Sequence, residues 1–212
     1  RSPGKVRAAR LTDLAALATT LEAYGTVRTG EALSRHTTFG VGGPADLFVT
    51  VRDADGLAGA SLASRHAGIE PFVLGSGSNI LVADAGIRGV VLDNRARTER
   101  PADDGVTYTL ESGTSFAAFS RRACRAGLDG LTWAVGIPGT LGGAVVYNAG
   151  AYGGCLGDVL TRVRLQEQDG SADWIEAEAL GLVYRGSVFT RGQFAGRTIL
   201  EAEVRLTPGD SG

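Results

Sequence analysis

Leu74-Gly75-Ser76-Gly77-Ser78-Asn79-Ile80-Leu81-Val82 follows a predicted strand over residues 71–74 and alternates two glycines with two serines. At first sight it resembles the dinucleotide fingerprint G-x-G-x-x-G, in which a strand turns through glycines into a helix. Ile80 stands where the third glycine belongs. The residues beyond it read as a further strand over 80–82, not as a helix, so a Rossmann fold is excluded. Small residues with accessible N–H groups still fit a nest for a pyrophosphate. The plainer alternative is a tight β-hairpin.

Upstream of this loop, the chain predicts a helix capped by Thr12 or Asp13. Leu14, Leu17, Ala18 and Leu21 lie on one face of that helix, and Gly25 closes it. A strand over residues 47–51 comes next, then a helix starting near Asp53 or Asp55 and ending before Gly68, with a last strand over 89–92. This is a β–α–β opening. Downstream, Val106-Thr107-Tyr108-Thr109-Leu110 alternates as a half-buried strand, and a helix carrying Phe116, Phe119 and Ala123 ends at Gly127. A hairpin turning at Asp169-Gly170 and a final strand with Leu200, Ala202, Val204 and Leu206 facing one way complete the chain. The expected fold is α+β. Its parts are an N-terminal helical segment over 1–30, a subdomain over 31–93, a mainly antiparallel subdomain over 94–207, and a tail over 208–212.

A second glycine segment runs from Gly136 through Ile137, Pro138, Gly139, Thr140, Leu141, Gly142, Gly143, Ala144, Val145, Val146, Tyr147, Asn148, Ala149, Gly150, Ala151 and Tyr152 to Gly153 and Gly154. Pro138 stiffens it, and Gly142-Gly143-Ala144 admits close approach of backbone to a flat ring or a phosphate. Packing of the segment against a sheet would also select glycine. Asn148 suits either orienting a ligand or tying the loop together. Glycine, 32 of 212 residues, is about twice its usual share. Two such loops in one chain point to a large anionic ligand held mainly by main chain.

Other chemistries are excluded by what is missing. No Walker lysine follows any glycine loop and no Gly-x-Ser-x-Gly elbow occurs. His36 and His66 are the only histidines, and Cys124 and Cys155 form no CxxC, so no metal site is expected. His36 reads as a local hydrogen-bonding residue, His66 as a solvated helix end, and the cysteines as reduced, buried thiols. A net charge of −2 gives no general attraction to nucleic acid or anionic membrane. There is no apolar run of transmembrane length and no secretory h-region. A cytoplasmic monomer acting on a small molecule is expected. In Tyr184-Arg185-Gly186-Ser187-Val188-Phe189, the arginine either pairs with a carboxylate or turns toward an anionic substrate.

Four stretches together resemble the UDP-N-acetylenolpyruvoylglucosamine reductase family: His36-Thr37-Thr38-Phe39-Gly40-Val41-Gly42-Gly43-Pro44-Ala45, Leu74 to Val82, Gly136 to Gly154, and Tyr184 to Phe189. They occur in the family's order over about residues 30–206. The resemblance implies an FAD-binding fold of the vanillyl-alcohol-oxidase type, with two α+β subdomains gripping non-covalent FAD. It implies that Gly75, Ser76, Gly77, Ser78, Asn79 and Ile80 hold the pyrophosphate. A second flavin-contacting segment would comprise Gly136, Ile137, Pro138, Gly139, Gly142, Gly143, Ala144, Asn148, Ala149, Gly150 and Tyr152. It further implies NADPH as hydride donor, a nucleotide-sugar enolpyruvyl substrate in peptidoglycan synthesis, and Arg185 as the catalytic arginine that holds the substrate carboxylate.

One departure accompanies the resemblance. The family's proton-donor serine, within a Gly-Ser-x-Phe-Lys-Asn-Pro-like motif, and its C-terminal glutamate are not matched in these 212 residues. The expectation is an FAD-binding portion without the substrate domain, binding flavin and turning over little or not at all. The alternative is a short non-catalytic flavin-binding module of the same fold. Arg185 favours the first, since a flavin carrier needs no carboxylate clamp.

Overall fold

Residues 13–209 are described by the computed structural model, which divides into two units, Arg1–Arg95 and Ala96–Gly212. In the first unit, residues 13–21 form helix α1 with Leu17 and Leu21 buried. The expected cap at Thr12 lies outside the described residues. The helical segment drawn to residue 30 is corrected: Thr26–Ala32 is strand β1, paired antiparallel with β2 (Pro44–Val51). Val27 and Thr29, β-branched residues two apart, suit a strand better than a helix.

Helix α2 (Ala54–His66) begins at Asp53, whose carboxylate accepts the Gly56 N–H at 2.7 Å. Asp55 lies in its first turn and Arg65 and His66 in its last, signs that match the helix dipole. Strands β3 (Phe72–Leu74) and β4 (Ile87–Asn94) complete a sheet of order β1-β2-β4-β3. β4 runs parallel to both β2 and β3, and α2 packs on β2 and β4. The strand expected over 80–82 is absent. A chain joining two parallel neighbours must return from the end of one to the start of the other, and residues 75–86 do so as a loop. Val82 is buried and Ile80 partly so, packed with Leu33, Phe48, Leu74 and Val91. Their apolar character is therefore loop anchoring, which period-two alternation mimics.

The second unit is an antiparallel sheet of order β11-β10-β12-β6-β5: Ala172–Glu176, Leu160–Gln166, Thr198–Arg205, Thr107–Glu111 and Glu99–Pro101. Leu110, Val163, Leu165, Ala202 and Val204 form its inner face, against Phe116 and Phe119 of α3 (Phe116–Arg125) and Leu141 and Val145 of α4 (Leu141–Tyr147). The opposite face is a ladder of ion pairs. Glu201 joins Arg100 and Arg164, and Arg162 joins Glu203 at 2.7 Å while lying over the Trp174 ring. Burial opposes ionisation of Glu203, but the bonds from Arg162 and Thr161 prevail and lower its pKa.

Two sequence expectations change here. Helix α4 sits inside what reads as a glycine loop; Leu141, Ala144 and Val145 are its buried stripe, hidden among residues of poor helix propensity. The tail expected from residue 208 starts as strand: β13 (Thr207–Pro208) pairs with β7 (Leu128–Asp129), and the Gly209 N–H reaches the Gly127 carbonyl at 2.7 Å. Between α4 and β10, β8 (Gly150–Ala151) and β9 (Gly154–Cys155) form a short hairpin. Cys124 and Cys155 are free and half-buried rather than fully buried.

Candidate functional site

In the first unit, the strap of residues 36–43 lies across the glycine loop 75–86. The Thr38 N–H donates to the Gly77 carbonyl at 3.0 Å. Its hydroxyl reaches the Gly77 and Ser78 carbonyls at 3.3 Å each. Gly77 has φ +66°, and a Cβ there would overlap the His36 carbonyl oxygen and lie 2.9 Å from Thr37 Cα. Glycine is required on both counts. Further along, the Gly43 N–H donates to the Ala83 carbonyl at 3.0 Å.

The strap is anchored in turn by His36. Its Nε2 lies 2.9 Å from Glu31 Oε1, and its ring packs on Phe48 with centroids 4.2 Å apart. The hydrogen bond with His36 lowers the Glu31 pKa below its ordinary value, against an opposing effect of burial. While loop carbonyls face the strap, the backbone N–H groups of residues 76–82 donate to no protein acceptor among the described residues. Ser76 and Asn79 are exposed, with Ser78 and Ile80 half-buried. Over residues 76–79 the loop is a strip of amide donors on a small-residue surface, followed by half-buried Ile80, exposed Leu81 and buried Val82.

In the second unit, the segment over 136–152 is fixed at its centre and open along its amides. Leu141 and Gly142 N–H groups donate to Thr114 and Ser112 carbonyls at 2.9 and 2.8 Å, and Phe116 N–H to the Gly139 carbonyl at 3.1 Å. Among the described residues, the amides of Gly136, Gly139 and Gly143 donate to no protein acceptor. Pro138 is exposed, Ile137 half-buried, and Ala144 and Ala149 are buried. The Thr114 hydroxyl, buried beside this segment, has no hydrogen-bond partner among the described residues.

Two tight hairpins project from this unit. Tyr152 (φ +51°) and Gly153 (φ +87°) form the tip between β8 and β9, the positive-φ pair of a type I′ turn. Tyr152 is 96% exposed. Tyr184 and Arg185 form the second tip, where Val183 and Gly186 exchange N–H···O bonds at 2.9 and 3.2 Å. Arg185 has φ +56° and Tyr184 is 90% exposed, its ring 5.9 Å from the Arg185 guanidinium. Non-glycine residues held in this region store strain, which clusters at working sites. Arg185 is exposed and has no ion-pair partner among the described residues.

Asn148 holds these parts together. Itself left-handed (φ +43°) and 6% exposed, it donates from Nδ2 to the Val183 carbonyl at 3.1 Å and accepts the Gly157 N–H at 2.9 Å. Its side chain ties the loop rather than presenting itself to a ligand. The Ser187 hydroxyl donates to the Val146 carbonyl at 2.6 Å, so the Tyr184-Arg185 turn is clamped on both sides to α4.

The expected site residues therefore fall into two sets. Gly75 to Ile80 form an amide strip in the first unit; Gly136 to Tyr152 and Arg185 come together in the second through Asn148 and Ser187. Thr38, whose N–H and hydroxyl hold the loop carbonyls, was not singled out in the sequence, although it lies within a glycine-rich motif. Among the described residues there is no group of three or more His, Cys, Asp or Glu side chains arranged to hold a metal, and no helix is long and apolar enough to cross a membrane.

Residues 45–175 match the FAD binding domain family. The chain is 44% identical over 162 residues to the UDP-N-acetylenolpyruvoylglucosamine reductase of Heliobacterium modesticaldum, covering 76% of this chain and 51% of that protein. It is 44% identical over 180 residues to the same-named protein of Anaeromyxobacter dehalogenans strain 2CP-1, covering 84% and 53%. The crystal structure of UDP-N-acetylenolpyruvylglucosamine reductase from Thermus caldophilus superposes with a TM-score of 0.72 at 31% identity, covering 87% of this chain and 64% of that one. The chain thus spans about half the length of the two curated relatives.

Proposed function

The chain belongs to the FAD binding domain family, and we propose that it binds FAD non-covalently as part of a UDP-N-acetylenolpyruvoylglucosamine reductase. Its architecture is the α+β FAD-binding fold. The observation that carries the proposal is the amide strip over residues 76–79, whose N–H groups face no protein acceptor among the described residues while Thr38 holds the carbonyls behind them. Backbone amides without a nearby lysine suit a diphosphate, which needs several directed donors more than one mobile charge. The open amides of Gly136, Gly139 and Gly143 fit close approach of a planar ring system.

In this proposal Gly75 to Ile80 hold the pyrophosphate and Gly136 to Tyr152 contact the flavin. The chemistry that bound FAD supplies is hydride transfer from NADPH to the enolpyruvyl double bond of a nucleotide-sugar substrate. The protein's part is orientation and electrostatics. Arg185, without an ion-pair partner among the described residues and held on a clamped, strained turn, presents two parallel N–H donors to the substrate carboxylate. It offsets negative charge developing next to that carboxylate as the double bond is reduced. A fixed arginine is worth more here than a mobile one, because it requires no reorganisation as charge develops.

The test is reconstitution of the purified 212-residue chain with FAD, followed by visible absorbance and quenching of flavin fluorescence. Saturable one-to-one binding supports the proposal. A colourless protein that takes up no FAD overturns it. The reductase assignment is tested by titrating the FAD-loaded chain with the enolpyruvyl nucleotide sugar and comparing it with Arg185→Ala. Equal affinity in both removes Arg185 from the substrate site.

A further inference from the structure

We propose that Thr38 is a positioning residue that aims the amides of Ser78 and Asn79 outward at the diphosphate; this rests on the FAD assignment above. In a planar trans peptide, the carbonyl of one residue and the N–H of the next point in opposite directions. Thr38 fixes the Gly77 carbonyl from both its N–H and its hydroxyl, and the Ser78 carbonyl from the hydroxyl alone. The Ser78 and Asn79 N–H groups are thereby turned away from the strap, and neither donates to a protein acceptor among the described residues.

One hydroxyl thus controls two successive peptide planes. Without it each plane can rotate, because Gly77 has no Cβ to resist and the loop has no regular structure. The strap that carries Thr38 is itself fixed: the His36 N–H donates to the Leu33 carbonyl at 2.9 Å, and the Thr37 hydroxyl to the Val41 carbonyl at 2.9 Å. The His36 carbonyl sits where a Gly77 side chain would be. Thr38 is exposed, so removing its hydroxyl has little effect on folding. Its contribution is preorganisation of donors for a charged ligand.

The experiment compares wild type, Thr38→Val and Thr38→Ser of the full chain, freed of flavin and titrated with FAD and with riboflavin, which lacks the diphosphate. Thr38→Val is expected to weaken FAD binding about 10-fold or more, since hydrogen bonds to charged groups are involved. Riboflavin affinity should stay within about 2-fold, and Thr38→Ser should restore most FAD affinity. Equal losses for both flavins, or no loss for FAD, would overturn the positioning role. A wild type that binds neither flavin would overturn the FAD assignment instead.

A second measurement avoids dependence on the variant's folding. In the wild-type chain, amide resonances of Ser78 and Asn79 should shift on adding ADP, which carries the diphosphate without the flavin. Shifts confined to other amides would refute the proposed aim of these groups.

Discussion

Gly77→Ala isolates a steric requirement from a conformational one. The left-handed backbone alone costs an alanine about 1–2 kcal/mol. The new methyl must also displace the strap, since it would overlap the His36 carbonyl and sit 2.9 Å from Thr37 Cα; forced overpacking of this kind costs roughly 1–3 kcal/mol more. The expected destabilisation is therefore about 2–5 kcal/mol. Gly68, in the same unit, has φ +73° but open space on the side a methyl group would occupy, with nothing within 4 Å, so Gly68→Ala should lose only the first increment. Denaturant midpoints of the two variants give the difference directly. FAD titration adds the functional arm. Displacing the strap releases the Gly77 and Ser78 carbonyls, so Gly77→Ala should bind FAD at least about 100-fold more weakly, while Gly68→Ala binds normally. Equal stabilities for the two variants, or unchanged FAD affinity in Gly77→Ala, would refute the strap-and-loop reasoning.

Arg185→Gly should raise stability by about 1 kcal/mol by relieving the left-handed strain while abolishing affinity for the enolpyruvyl substrate; melting curves and substrate titration of the FAD-loaded protein check both. Asn148→Ala removes two hydrogen bonds around a buried left-handed residue, with an expected loss of roughly 2–4 kcal/mol. Asn148→Gly, which tolerates the backbone, should lose less, as read from denaturation curves. Glu31 has a folded pKa below its ordinary 4.5, so its ionised form favours the folded state. That stability is fully present above about pH 4.5 and is lost as pH falls through the lower folded value. Glu31→Gln should flatten this acid limb in a stability-versus-pH profile.

Much of the α+β skeleton was legible because burial imposes periodicity. The Asp53 cap of α2 and the alternation of Ala202, Val204 and Leu206 are local signals formed as expected, whereas a register shift near the start of β12 brings Ile199 rather than Leu200 into that core. Residues 80–82 misled because an apolar run anchoring a loop and an apolar strand look alike over three residues. Helix α4 was hidden because Gly142 and Gly143 lower helix propensity while tertiary contacts with Ser112 and Thr114 hold the segment. The glycine loops themselves were plain as motifs. What could not be read was which way each peptide faces. That depends on Thr38, 39 residues from Gly77 in sequence, and on Asn148, 35 residues from Val183.

A ligand gripped by amides leaves little trace in a side-chain scan. Replacing Ser76, Ser78 or Asn79 by alanine keeps every N–H of the strip in place, so conventional mutagenesis would find these positions silent and assign the affinity elsewhere. Replacing a single peptide N–H by an ester oxygen removes the donor and leaves the side chain alone. For this loop the informative alphabet is that of the backbone, and under the proposed role sequence drift at its serines would leave the cofactor grip untouched.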